Sequence, residues 1–251
     1  RGPTALVTIQ KGCDNACAYC IVPRVRGPEV SRPMAQIIDE IERIVDRGVK
    51  EVTLIGQNVN TYRGGSTGRP GDFIELLRRV DGVDGLARLR FTTSHPKDMH
   101  PDLAACYAEL RTLCPWLHLP VQSGSDHVLR LMGRGYTRQQ YLERVGEVRE
   151  RCGPDLSLGT DLIVGFPGER ERDFLDTVDL VEEIQYDYAY SFKFSMRPGT
   201  AAQQLTADEP PEAEKLRRLK HLQTVIEEHS GARLRRWRGR EVELLVQGPS
   251  R

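Results

Sequence analysis

The chain has 251 residues, 36 basic and 36 acidic side chains, a formal net charge of zero, and 39% hydrophobic against 29% charged residues. That length suits one large domain, or one domain with an appendage, able to bury its own core without disulfide staples. No run approaches the roughly 20 apolar residues that cross a bilayer, the start Arg1-Gly2-Pro3-Thr4 lacks the apolar centre of a signal peptide, and a neutral total argues against coating nucleic acid by bulk charge.

In chain order, apolar runs at residues 5–10, 51–56, 88–93, 116–122, 157–164 and 188–192 predict buried strands. Amphipathic stretches at 34–47, 73–80, 101–109, 136–151 and 173–183 predict helices between them; in the first, Ile37, Ile38, Ile41, Ile44 and Val45 share one face. A short helix through 129–132 begins near Ser125, which suits an N-cap. This alternation predicts six parallel β/α units, as an open doubly wound sheet or a barrel. In either, functional residues gather at the C-terminal ends of the strands, where this sequence places Gly56-Gln57-Asn58, Ser94-His95-Pro96, Gln122-Ser123-Gly124 and Gly165-Phe166-Pro167-Gly168.

The character changes after Thr200. Residues 205–211 read as a polar linker, and 212–237 as one long helix with Leu216, Leu219, Leu222, Val225 and Ile226 as its apolar positions. Residues 210–240 carry nine Lys/Arg against four Asp/Glu, which leaves 27 basic against 32 acidic residues elsewhere. The neutral total is therefore a balance of opposite regions. Residues 241–246 predict the first strand of a further unit. The expected divisions are 1–204, 205–240 and 241–251.

The cysteines are uneven. Cys13, Cys17 and Cys20 crowd into one loop after the first strand, while Cys106, Cys114 and Cys152 are scattered and read as ordinary buried thiols. A secreted disulfide framework spreads its cysteines over a small chain, so the pattern predicts a reducing compartment and a metal site. Structural zinc takes four ligands, usually as two separated pairs, and no second pair is present. Iron–sulfur clusters are held by cysteine thiolates, usually four; three would leave one iron open to a substrate.

Cys13-Asp14-Asn15-Ala16-Cys17-Ala18-Tyr19-Cys20 after the first strand of a sixfold β/α repeat resembles the radical S-adenosylmethionine superfamily. Gly12-Cys13-Asp14-Asn15, Ile21-Val22-Pro23, and Arg26-Gly27 through Ser31-Arg32-Pro33 resemble its methylthiotransferases. Further segments resemble the MiaB-like branch, which acts on tRNA. They are Leu54-Ile55-Gly56-Gln57-Asn58-Val59-Asn60, Thr92-Thr93-Ser94-His95-Pro96, 117–125 and 160–169. Two positions depart from the family pattern: Met196, where Pro is usual in Ser-Pro-Arg-Pro-Gly-Thr, and Arg170, where Thr is common.

The resemblance implies an α/β fold, a partial (β/α)6 barrel followed by a basic helix and the start of an RNA-binding TRAM β-domain. It implies a [4Fe-4S] cluster held by Cys13, Cys17 and Cys20, its unique iron chelated by S-adenosylmethionine, with reductive cleavage yielding a 5′-deoxyadenosyl radical. Tyr19 would lie against the adenine and Gly56, Gln57 and Asn58 near the methionine amino group. Ser94 and Gln122 would bond the ribose or carboxylate, unless they only cap helices or satisfy loops. Asp161, among apolar neighbours, needs a partner: cofactor, substrate or an internal Arg. Gly165–Gly168 permits close backbone approach near the adenine. His95 and His118 read as structural.

The family reaction would methylthiolate carbon 2 of isopentenylated adenosine beside the anticodon. It needs a second, auxiliary cluster, expected in a domain preceding this chain, and an external flavodoxin- or ferredoxin-type electron donor. A tRNA anticodon stem-loop is the expected partner and the cytoplasm the expected location. The chain, which has no initiator Met, is expected to be a fragment. Arg24, Arg26 and Arg32 border the cluster loop, and the 212–237 helix is the expected RNA-facing surface. Two alternatives stand beside this: a sibling methylthiotransferase acting on threonylcarbamoyl-adenosine or a ribosomal protein, and a non-catalytic RNA-binding module with zinc at the three cysteines.

Overall fold

The computed structural model describes residues 2–69 and 71–248. Arg1 and the last three residues of the expected TRAM start, 249–251, lie outside the described residues. Six parallel strands follow one another in space as in sequence: β1 (Thr4–Thr8), β4 (Glu51–Ile55), β5 (Arg88–Thr92), β6 (Trp116–His118), β7 (Ser157–Val164) and β8 (Tyr188–Lys193). The β5–β6 seam is thin, a single bridge Leu89↔Leu113, closed by Leu89 N to Thr112 O at 2.7 Å and Cys114 N to Leu89 O at 2.9 Å. Between β1 and β4 lie a two-stranded antiparallel pair, β2 (Gln10–Lys11) and β3 (Val30–Ser31), and the short helix α1 (Val22–Arg26).

Helices α2 (Met34–Val45), α3 (Asp72–Asp81), α4 (Leu103–Glu109), α6 (Arg138–Cys152), α7 (Glu171–Ile184) and α8 (Glu212–Arg235) alternate with the six strands. The strand alternation tells the faces apart. Val52, Leu54, Leu89 and Phe91 are fully buried toward the helices, while Glu51, Thr53, Arg88 and Arg90 between them are only half-buried. These half-buried positions meet across the concave face. Arg90 Nε lies 3.3 Å from Glu51 Oε1, and the Arg90 guanidinium sits 5.8 Å from the Trp116 ring. Trp116 in turn stacks on Tyr188 at 6.1 Å. Gly159 makes room for that stack, since a Cβ there would stand 2.0 Å from Tyr188 Cζ. This is the expected α/β partial barrel.

Most helix starts follow local chemistry. Ser125 caps α5 (Asp126–Leu131), its Oγ accepting from Val128 N, and Thr137 and Gln140 form a reciprocal capping box on α6. The strand expected over 116–122 stops at His118. Pro120 has no N–H to give the ladder, the Thr160 hydroxyl takes the Val121 N–H at 3.0 Å, and pairing resumes only as an isolated bridge, Gln122↔Leu162. Residues 201–208 form a 3₁₀ helix across part of the expected linker.

Residues 241–246 form no strand. They find no ladder partner among the described residues, and Val242, Leu244 and Val246 are exposed; Glu243 meets Arg88 instead. Helix α8, the expected RNA-facing element, is docked through its apolar positions. It packs on β8 and α7, burying Leu222, Val225 and Ile226. Of the cations on this helix and just after it, Lys215, Arg217, Arg218, Arg233, Arg236 and Arg240 are ion-paired within the protein.

Candidate functional site

The cysteine loop is an excursion from β1 whose base is closed by the β2–β3 pair, Gln10 opposite Ser31 and Lys11 opposite Val30. Gly12 opens it with φ +75°, and a Cβ there would stand 2.0 Å from Pro28 O, so only glycine fits the crossing. Gln57, past the end of β4, accepts from Gly12 N at 2.7 Å. Further on, Ala18 N donates to Met132 O and Ala202 N to Ala18 O, each at 2.8 Å. The loop is therefore fastened to the ends of β4 and α5 and to the 3₁₀ helix.

Cys13, Cys17 and Cys20 are free thiols, half-buried or close to it. Burial raises the pKa of the Cys13 and Cys20 thiols, and the neighbouring thiols of the loop add to the effect. The three sulfurs thus share one field. Among the described residues no three His, Cys, Asp or Glu side chains close on a single ion. A lone tetrahedral ion draws its sulfurs to about 2.3 Å from one point; a cluster spreads its ligands over several irons. The donor set, three thiols from one loop, fits the second case.

The other expected site residues fall into two groups. Tyr19, Gln122 and Asp161 line one cavity of ≈ 350 Å³ with Phe192, Lys193 and Arg197, beside the cysteine loop. Tyr19 sets its ring edge-on to Phe166 at 6.5 Å. Burial raises its phenol pKa against the pull of Arg134. Asp161 has an internal partner, and it is a histidine, not an arginine: His118 Nε2 lies 3.2 Å away. Gln122 holds φ +76°. Gly56 packs against Gln10, with an added Cβ 3.3 Å from Gln10 Cβ.

Around the loop's other flank, Asn58 is committed at both ends of its amide, donating to Asp98 Oδ2 at 2.7 Å and accepting from His95 N at 3.2 Å. Asp98 also takes the Asn15 amide at 3.0 Å. Its carboxyl stays below the usual range although burial works against it, because Lys97, Asn15 and Asn58 all donate to it. Ser94 is buried, and its hydroxyl has no partner among the described residues. It follows Thr93, a β-branched residue at φ +72°. Strained backbone of this kind gathers where geometry serves a site. An orphaned hydroxyl beside it fits a bound polar group such as a ribose or carboxylate.

Two residues adjoin the loop without having been singled out as ligands. His95 faces Cys17, with Nε2 3.7 Å from Sγ; burial first, then Arg134, pushes its pKa down to about 3, so the ring is neutral. Arg134 is 4% exposed and reaches Cys17 Sγ at 3.5 Å. The sequence hint at Arg134 is its frame, Gly133 and Gly135 at φ +67° and +70°, which turn the chain on both sides of it.

Similarity to known proteins agrees with this arrangement. A tRNA-2-methylthio-N(6)-dimethylallyladenosine synthase of Citrifermentans bemidjiense is 52% identical over 249 residues, 99% of this chain and 56% of that protein. The protein of the same name from Ruegeria pomeroyi is 48% identical over 251 residues, 100% of this chain and 56% of its own length. The chain thus spans little more than half the length of these relatives. In fold, it resembles coproporphyrinogen III oxidase of Escherichia coli, a radical SAM enzyme, with a TM-score of 0.62 and 20% identity over 91% of this chain and 53% of that one. Residues 7–181, from β1 into α7, match the Radical SAM superfamily, and the chain belongs to that superfamily.

Proposed function

We propose that this chain is the radical-generating core of a tRNA methylthiotransferase of the MiaB-like type, acting on carbon 2 of N6-isopentenyladenosine. The observation that carries the reading is the fastened loop presenting three free thiols beside a cavity at the strand ends. Similarity to proteins named for that synthesis supports the proposed substrate class. Cys13, Cys17 and Cys20 would hold a [4Fe-4S] cluster, of the kind the superfamily implies together with S-adenosylmethionine. A bound cluster supplies the single electron that cleaves the sulfonium of S-adenosylmethionine.

The protein's own groups bind and orient. Tyr19, Gln122 and Asp161 line the cavity that would receive the nucleoside part, and the Ser94 hydroxyl would take a ribose or carboxylate partner. Gln57 acts through the loop, holding Gly12, and Asn58 acts through Asp98 and His95. A tRNA anticodon stem-loop is the proposed partner, a low-potential flavodoxin- or ferredoxin-type protein the electron source, and the cytoplasm the setting. No helix among the described residues is long and apolar enough to cross a membrane. The auxiliary cluster would lie outside residues 1–251.

Anaerobic reconstitution tests the core of the proposal. The expected result is about four irons and four sulfides per chain and formation of 5′-deoxyadenosine from S-adenosylmethionine under dithionite. Zinc without iron would favour a structural-metal module. Nucleoside mass spectrometry of tRNA treated with the full-length protein then tests the substrate; threonylcarbamoyl-adenosine as the thiolated base would shift the reading to the sibling branch.

A further inference from the structure

Cys17 differs from the other two cysteines of the loop in what faces its sulfur. Cys13 receives the backbone N–H of Asn15 at 3.5 Å, and Cys20 lies near the backbone N–H of Val22. Cys17 Sγ instead meets two side chains brought from 78 and 117 residues away, His95 Nε2 at 3.7 Å and Arg134 Nη1 at 3.5 Å.

Both donors are oriented by further bonds. Lys97 N donates to His95 Nδ1 at 3.2 Å. That nitrogen must therefore be the acceptor, which puts the imidazole proton on Nε2, facing the sulfur. Arg134 is gripped on three sides: Nε donates to Tyr136 Oη at 3.0 Å, Nη2 to Pro120 O at 2.6 Å and Nη1 to Tyr19 Oη at 3.3 Å. Tyr136 in turn donates its own proton to Val121 O at 2.7 Å, which leaves its oxygen free to accept from Arg134. Turning either donor away from the sulfur would break these bonds, and both residues are buried, where electrostatic effects are large.

We infer that His95 and Arg134 are positioning residues that donate paired N–H···S bonds to Cys17 and so raise the reduction potential of the cluster it would hold. The inference rests on the proposed ligation by Cys13, Cys17 and Cys20. Reduction adds one negative charge to the cluster, much of it felt at the sulfurs. Donors aimed at a sulfur, one of them a fixed guanidinium, stabilise the reduced form more than the oxidised one. The effect falls on one ligand of three and so also polarises the loop. Arg134 couples the two halves of the site, because the same Nη1 touches Cys17 and the Tyr19 hydroxyl at the edge of the cavity.

The test is a redox titration of the anaerobically reconstituted chain, followed by electron paramagnetic resonance of the reduced cluster without S-adenosylmethionine, with iron and sulfide assayed in each sample. At the parent's midpoint potential, Arg134→Met should lower the ratio of reduced to oxidised cluster about tenfold, which for one electron is about 59 mV. His95→Phe should lower it severalfold. Arg134→Lys, which keeps the charge but not the planar fork, should fall between parent and Arg134→Met. Arg134→Met also removes the bonds to Pro120 and Tyr136; if it assembles no cluster, His95→Phe, which leaves those bonds in place, decides. Fully loaded variants that titrate with the parent overturn the inference and leave the ligation standing. A parent that assembles no cluster overturns both.

Discussion

Replacing Arg218 with Met should destabilise the chain far more than losing one surface charge would. Arg218 lies on α8, and its partner Glu169 ends the Gly165–Glu169 turn after β7; their side chains are 6% and 1% exposed. Glu169 Oε1 accepts from Arg218 Nη1 at 2.6 Å and from Gly165 N at 2.8 Å. Arg218 also bonds the Glu169 carbonyl at 3.1 Å and Glu214 at 2.9 Å. Removing the cation leaves a buried carboxylate with one backbone donor. Breaking a buried pair on one side costs about 3–5 kcal/mol. The surviving Gly165 bond, and uptake of a proton, put this case near the lower end of that range. For a domain of this size that lowers Tm by roughly 6–12 °C.

Glu169→Gln combined with Arg218→Met should recover much of the loss, since no charge is then left buried. The pH dependence has a definite sign. Burial already raises the Glu169 acid above its ordinary 4.5, against the pull of Gly165 and Arg218. Without Arg218 it rises further, and a raised acid favours the fold below its unfolded pKa and opposes it as pH climbs through the folded one. The deficit of Arg218→Met should therefore grow as pH rises from mildly acidic to mildly basic. Urea unfolding of parent, single and double variants measures all of this. A cost below about 1 kcal/mol at neutral pH, or a deficit that grows on acidification, refutes the reasoning.

Three other substitutions follow from close contacts. Gly12→Ala forces a Cβ 2.0 Å from Pro28 O at a positive φ, so iron content after reconstitution should fall steeply while far-UV circular dichroism stays near the parent's; full loading would mean the loop accommodates the methyl. Gly159→Ala meets the Tyr188 ring at 2.0 Å and should cost roughly 1–3 kcal/mol, relieved in part by Tyr188→Ala; an additive double variant would show that the ring was not the obstacle. Asp173 accepts from the Ser125 hydroxyl at 2.6 Å and Arg170 N at 3.0 Å, and despite burial these bonds hold its acid below the ordinary 3.8. Such a group stabilises above its unfolded pKa and loses that contribution as pH falls through the folded one. In thermal melts the deficit of Asp173→Asn should therefore be full at neutral pH and narrow below 3.8.

What could be read from sequence was what local periodicity encodes. β4, β5 and β7 lie where period-two burial of Val52, Leu54, Leu89, Phe91 and Leu158 requires them, and Ser125 caps α5 because an N-cap is a local bond. The cysteine loop was legible because its three donors are close in sequence. β2 and β3 were missed because two residues show no period, and β6 stopped early because Pro120 and the Thr160 hydroxyl displace a ladder that apolar content alone predicted. Arg134 and His95 were illegible as neighbours of Cys17 for a different reason: their roles depend on what faces them after 117 and 78 residues of chain have folded back. The orphaned Ser94 hydroxyl is a property of packing that no spacing announces.

The charge of α8 carries the same lesson into a measurable prediction. Nine cations against four anions over residues 210–240 suggested a helix facing RNA. In the fold, Arg233 and Arg236 converge on Asp187, Arg240 binds Asp155 through Nη1 and Nη2, and Lys215, Arg217 and Arg218 pair with glutamates around the start of α8. These pairs dock the helix and offset much of its charge, though Arg233 and Arg236 share the single carboxylate of Asp187. Lys220, Arg235 and, just past the helix, Arg238 are exposed and have no ion pair among the described residues, so they are the cations freest to meet a phosphate. Changing all three to Gln should leave urea unfolding within about 0.5 kcal/mol of the parent. If the helix meets the proposed tRNA through all three, the slope of log affinity against log salt should shrink by roughly 2–3, at about 0.7–0.9 for each phosphate that is no longer neutralised. An unchanged slope would move the RNA surface away from α8, to the Arg24 and Arg26 side of the cysteine loop, where the same titration on variants of those two arginines should then register the smaller slope.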